Sequence, residues 1–115
     1  MAKHEPDLDR LFAALSDGTR REIVARLARG PATVSELAAP HEMALPTFLA
    51  HLGKLEAAGL VETEKRGRVR SCRLAAGGLL PARHWLTEQR ALWEARLDAF
   101  DDYVTTLAKE RRDEP

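Results

Sequence analysis

A chain of 115 residues, 44% hydrophobic and 31% charged, holds one soluble domain with a real core, and its composition excludes a disordered chain or a membrane span. Lys plus Arg and Asp plus Glu are 18 each, so the net charge is zero, a balance that by itself argues against nucleic-acid binding. A single cysteine, Cys72, excludes an intramolecular disulfide and a cysteine-built zinc cage.

The first helix is expected over residues 7–15. Its apolar Leu8, Leu11, Phe12 and Leu15 recur at i, i+3, i+4 and i+7, one helical stripe. Ser16-Asp17-Gly18 breaks it, and Asp17 can cap a second helix over 19–28 that buries Ile23, Val24 and Leu27. Arg29-Gly30-Pro31 stops that helix. Thr33-Val34 reads as a short extended piece, and Ser35 as the cap of a short helix over 36–39. A turn follows at 40–44. The next helix runs over 45–58, with Pro46 in its first turn and an inward stripe of Phe48, Leu52, Leu55 and Leu45. Gly59 ends it.

Residues 60–65 and 69–74 are β-prone, and Arg66-Gly67-Arg68 between them reads as a hairpin turn. After Gly77-Gly78 and Pro81, a last helix is expected over 80–107, with a frayed tail at 109–115. Its stripe is Leu86, Gln89, Trp93, Leu97, Phe100, Val104 and Leu107, widened by Trp85, Leu92 and Tyr103.

The charge is distributed unevenly along these elements. Residues 44–82 hold six basic and three acidic groups, net +3, whereas 83–115 hold six basic and eight acidic, net −2. Five of the nine residues from 65 to 73 are cationic: Lys65, Arg66, Arg68, Arg70 and Arg73. One basic projection on a neutral protein is enough to steer a polyanion.

Helix, helix, short strand, helix, turn, helix, hairpin, helix is the order of a winged helix-turn-helix. The expected fold is mostly α with a small β-hairpin, one domain over 1–115, with the helix-turn-helix at 35–58 and the wing at 60–74. The expected partner is double-stranded DNA. The short helix, starting at Ser35, braces on phosphate. The 45–58 helix enters the major groove and presents Leu45, Pro46, Thr47, Leu49, Ala50, His51 and Lys54. Arg66, Arg68 and Arg70 of the hairpin reach flanking backbone or minor groove.

The residues also carry a family resemblance. Leu15-Ser16-Asp17-Gly18-Thr19-Arg20-Arg21 with Ile23 and Leu27, then Val34-Ser35-Glu36-Leu37-Ala38, resemble the opening and first helix-turn-helix helix of the ArsR-type regulators. Met43-Ala44-Leu45-Pro46, His51-Leu52 and Leu55-Glu56-Ala57-Ala58-Gly59-Leu60-Val61 are similar to their recognition helix and its exit. Gly67-Arg68-Val69-Arg70 with Arg73-Leu74 resembles their wing. The resemblance spans roughly residues 8–107. It implies a repressor that binds near its own promoter, as a homodimer held by the first and last helices. Periodicity agrees on the dimer, because two Trp, one Phe and one Tyr within 85–103 exceed what a small domain closes over by itself. The expected interface is Leu8, Leu11 and Phe12 with Trp85, Leu86, Leu92, Trp93, Leu97, Phe100 and Val104.

The sequence departs from the family in its metal sites. Residues 35–39 contain no cysteine, and His84 is the one histidine of the last helix. No metal and no cofactor are expected. Release from DNA is left to a small molecule, a partner protein, oxidation of Cys72, whose flanking Arg70 and Arg73 would lower a thiol pKa, or protein level alone. The reading face also departs: it is apolar and poor in bidentate donors, which suits thymine methyls and a shape-read site, with Thr47 and His51 as its polar contacts. No catalytic arrangement is legible, so no enzyme is expected. The polar N-terminal stretch carries no signal-peptide core, so a cytoplasmic chain is expected. The rival reading is a protein-interaction module on the same scaffold, docking a partner on the apolar 45–58 face.

Overall fold

The computed structural model describes residues 6–113. Its elements are α1 (Pro6–Leu15), α2 (Gly18–Leu27), β1 (Ala32–Thr33), α3 (Val34–Ala38), α4 (Leu45–Ala57), β2 (Val61–Arg66), β3 (Val69–Leu74) and α5 (Leu80–Asp113). The described residues form two compact units that divide between Ala82 and Arg83.

The first unit carries the winged helix-turn-helix. Its core is built from one stripe of each helix: Leu11 and Ala14 of α1, Ile23 and Leu27 of α2, Leu37 of α3, and Phe48, Leu52 and Leu55 of α4. Leu60, Val61 and Cys72 close it from the sheet side. Leu52, Leu55 and Cys72 are fully covered. Leu45, expected in the inward stripe, is instead 55% exposed, because the first turn of α4 extends beyond the core.

The sheet has three strands, in the order β1-β3-β2, all antiparallel, so the expected hairpin gains a third strand. Ala32 pairs with Cys72 and Thr33 with Ser71. The strand then runs straight into a helix. Thr33, not Ser35, caps α3: its hydroxyl accepts from Glu36 N at 3.1 Å, and the Glu36 carboxylate turns back to the Thr33 backbone N–H. This is a capping box, and it moves the start of the helix to Val34. The hairpin turn is also tighter than expected. Arg66 pairs with Val69, which leaves Gly67-Arg68 as a two-residue turn. Gly67 sits at φ +62°, the left-handed value that a glycine in the first turn position supplies at no steric cost.

The α2 and α4 ends follow their sequence signals. Asp17 caps α2 by accepting from Arg20 N at 3.0 Å. Ala44 precedes α4 without a side-chain cap, and Pro46 fills the first turn, where its missing N–H costs nothing.

The second unit is the rest of α5. The helix was expected to stop at Leu107, ahead of a frayed tail. It continues to Asp113, and residues 114–115 lie outside the described residues. Ala108, Lys109, Glu110, Arg111 and Arg112 are strong helix formers, and the two arginines in the last turn complement the helix dipole. Along this helix Leu86, Leu92, Trp93, Leu97, Phe100, Tyr103 and Val104 are all exposed, by 46–64%. No helix among the described residues is long and apolar enough to cross a membrane.

Candidate nucleic-acid interface

The start of α3, the outer face of α4 and the wing hairpin open on one groove of about 720 Å³. Ser35, Leu45, Leu49, Arg68 and Arg70 line it, together with Lys65 and Val69 from the hairpin. Pro46, Thr47, Ala50 and Lys54 are exposed on the same helix. Five of the sequence-selected residues therefore line one groove, and four more are exposed on the helix that forms its wall. Val69 adds an exposed apolar side chain that sequence reading passed over as a strand residue.

His51 is placed differently. Its side chain is 19% exposed and turns toward α2, with Nδ1 at 3.0 Å from Arg20 Nη1 and 3.6 Å from Asp17 Oδ2. A guanidinium has no acceptor, so Nδ1 accepts from Arg20 and the ring proton sits on Nε2. This side chain links α4 to α2.

Arg20, in the first turn of α2, is drawn inward. It is 7% exposed and gathers three elements. Nε donates to Ala14 O at 2.6 Å and Nη2 to Ala13 O at 3.1 Å, which satisfies carbonyls in the last turn of α1. Nη1 reaches His51 of α4. The sequence signal was available: Arg20, Ile23 and Leu27 lie at i, i+3 and i+7 on one face. The Asp17 carboxyl is held below its usual pKa, chiefly by the Arg20 backbone N–H it accepts, with the Arg20 charge adding to this against partial desolvation. A second histidine, His41, makes a similar bridge from the turn, to Glu22 at 3.6 Å and to the Phe48 ring at 5.8 Å between centroids.

The wing cations divide into two groups. Arg66 pairs with Glu64 at 3.3 Å, and Arg73 with Glu62 at 2.9 Å. Arg70 donates to Glu56 at 2.7 Å. Among the described residues Lys65, Arg68 and Lys54 make no ion pair. Arg66 lines a separate recess of about 300 Å³ with Glu64, Ser71 and Arg73. The local positive field of the hairpin is thus smaller than its five cations imply, and it concentrates at the turn and on the groove wall.

Cys72 lies in mid-strand opposite Ala32 and Thr63, fully buried. Burial pushes its thiol pKa up, against a smaller pull down from the Arg70 charge. The flanking arginines were expected to lower it; desolvation is the larger effect, and a protonated, covered thiol is a poor nucleophile. Among the described residues there is no group of three or more His, Cys, Asp or Glu side chains able to hold a metal ion.

Of the residues expected at a dimer interface, Leu11 is taken up by the core, at 2% exposure. Leu8 is half-buried and Phe12 is 37% exposed. Trp85, Leu86, Leu92, Trp93, Leu97, Phe100 and Val104 of α5 are exposed.

Comparison with known proteins agrees with this geometry. A helix-turn-helix domain family matches residues 15–64. The chain is 39% identical over 96 residues to the HTH-type transcriptional regulator Rv2034 of Mycobacterium tuberculosis, covering 84% of this chain and 87% of that one. A crystal structure of an ArsR family transcriptional regulator is 49% identical, with TM-score 0.75, over 82% of this chain and 97% of the other. An ArsR-like transcriptional regulator from Rhodococcus sp. RHA1 is 37% identical, with TM-score 0.67, over 82% and 89%. The solution structure of a homodimeric winged helix-turn-helix DNA-binding domain from Mycobacterium bovis is 29% identical, with TM-score 0.58, over 80% and 94%. On this identity and coverage the chain belongs to the ArsR family of winged helix-turn-helix, DNA-binding transcriptional regulators, which are not enzymes.

Proposed function

We propose that the chain is a homodimeric repressor, acting in the cytoplasm on a pseudo-palindromic operator whose half-sites lie about one helical turn apart. One observation supports this above the others: unpaired Lys65 and Arg68 face the outer side of α4 across a single groove. A docking module for a partner protein has no use for cations at that position. Ser35 braces on backbone phosphate. Leu45, Leu49 and Ala50 pack on thymine methyls, Thr47 supplies a polar base contact, and Pro46 fixes the first turn against the backbone. Lys54, Lys65 and Arg68 anchor phosphates. Arg66, Arg70 and His51 are left out of this set because their charges or ring nitrogens are already engaged.

A salt series with a duplex from the chain's own upstream region tests the reading. Log K should fall steeply and linearly with log salt. Arg68→Ala should flatten the slope by about 0.9 per protomer, whereas Arg66→Ala, whose charge Glu64 already offsets, should change it less. An Arg68→Ala protein with wild-type affinity and slope would falsify the wing assignment.

The dimer part of the proposal rests on α5. Trp93, Leu97, Phe100, Val104 and Leu107 alternate at spacings of four and three, the seam of a paired helix. A helix exposing such a seam to water gains its stability from a partner, and the homodimeric Mycobacterium bovis relative makes a second copy the natural one. Leu97→Asp should convert the dimer to monomer by light scattering and abolish high-affinity operator binding. A Leu97→Asp protein that stayed dimeric at micromolar concentration would move the interface elsewhere.

A further inference from the structure

We propose that Glu56 is a specificity-determining residue that withholds Arg70 from the DNA backbone, so that this arginine orients the wing instead of adding a phosphate contact. The inference rests on the DNA-binding reading above and deepens it. Glu56 lies in the last turn of α4, and Arg70 in β3. Arg70 Nη2 donates to Glu56 Oε1 at 2.7 Å and to Thr63 Oγ1 at 3.1 Å, and the Thr63 hydroxyl donates to the other Glu56 oxygen at 3.4 Å. Both ion-pair partners are about one-third exposed. The three side chains close a ring that joins the reading helix to both long strands of the wing.

Two further facts give the ring its meaning. Arg70 stands directly across the sheet from Lys65, a like-charge pair that repels unless a counter-charge is present. Arg70 also lines the groove wall beside Lys65 and Arg68. Left unpaired, it would be a third cation on that wall, and phosphate contacts of this kind carry no sequence information. Glu56 supplies the counter-charge from the protein side. The wing then keeps a fixed pitch relative to α4, and the part of the affinity that any DNA sequence can elicit stays low.

The test uses a random-sequence duplex of about 30 base pairs, followed by fluorescence anisotropy between about 50 and about 200 mM salt. The proteins are full-length wild type, Glu56→Gln, Arg70→Met and the double variant. Glutamine keeps the shape of Glu56 and removes its charge. In the expected result Arg70→Met keeps the wild-type slope. Glu56→Gln steepens it by about 0.9 per protomer, which is about a 3.5-fold larger loss of affinity across that salt range. The double variant returns to the wild-type slope. Three results overturn the proposal: a flatter slope for Arg70→Met, which would put Arg70 on phosphate already; no change in Glu56→Gln; or the same steepening without Arg70, which would be a general field effect. Thermal melts accompany each protein, and Arg70→Gln, which retains an amide donor for Glu56, replaces Arg70→Met should that variant not fold. Wild type that binds no DNA with a salt-dependent affinity is a separate outcome, which removes the DNA-binding reading itself and this proposal with it.

Discussion

Arg20→Met should lower the stability of the folded chain by about 2–4 kcal/mol, a fall of about 10 °C or more in the thermal midpoint. The guanidinium is nearly covered, and its donors go to Ala13 O, Ala14 O and His51. Methionine fills much of the volume and supplies no donor. Ala14 O then loses its partner at the end of a helix, while Ala13 O keeps the Ser16 hydroxyl at 2.6 Å and the Ser16 backbone N–H at 3.2 Å. His51 loses the bond that holds it to α2, so α4 is freed on the side opposite the groove. Arg20→Lys retains the charge without the planar fork and should recover less than half of the loss. Circular-dichroism melts of the three proteins decide the matter. A methionine variant that melts with wild type would mean that the network is ornamental. Below its melting midpoint that variant should also bind operator DNA more weakly, because a reading helix with a looser anchor spends part of its time out of register.

The fold was legible in the sequence because its signals are local and agree with one another. The stripes of α1, α2 and α4, the glycine stops and the β-prone pair around Gly67 each point to one element, and their order points to one architecture. Strand β1 was missed as a sheet member because two residues carry no period, and its partner β3 lies about forty residues away. The cap was misplaced by two residues: Thr33-Val34-Ser35-Glu36 is a capping-box pattern in plain view, but Ser35 is the nearer hydroxyl to Glu36.

The site was legible as a set of positions and less so as a set of charges. Sequence shows that Arg66, Arg68 and Arg70 sit on the wing. It does not show that Glu64 and Glu56 offset two of them, because the partner of Arg70 comes from a different element. The same long-range pairing hid the roles of Arg20 and His51, which are 31 positions apart. Cations on a hairpin should therefore be counted only after their carboxylates have been located.

Gly78→Ala should be the most damaging single-methyl change in the first unit, while Gly53→Ala should be favourable. A Cβ at position 78 would stand 2.5 Å from Gly59 O, 3.2 Å from Ala75 O and 3.2 Å from Leu60 Cα. All three are backbone atoms, so no side chain can rotate out of the way. The site is where the chain leaving the sheet crosses the end of α4, with Ala75 N bonded to Leu60 O at 2.9 Å and Gly78 N to Ala75 O at 3.0 Å. Relief requires separating these segments, at a cost of about 3 kcal/mol or more, the upper part of the range for overpacked sites. Position 53 has the opposite geometry. It lies inside α4, and a Cβ there meets nothing within 4 Å. Alanine in a helix interior is about 1 kcal/mol better than glycine, so Gly53→Ala should raise the thermal midpoint by several degrees. The two substitutions add the same methyl group, so the difference between their midpoints combines the clash against Gly59 and Leu60 with the helix preference gained at position 53. Equal midpoints would mean that the crossing is looser than these distances describe.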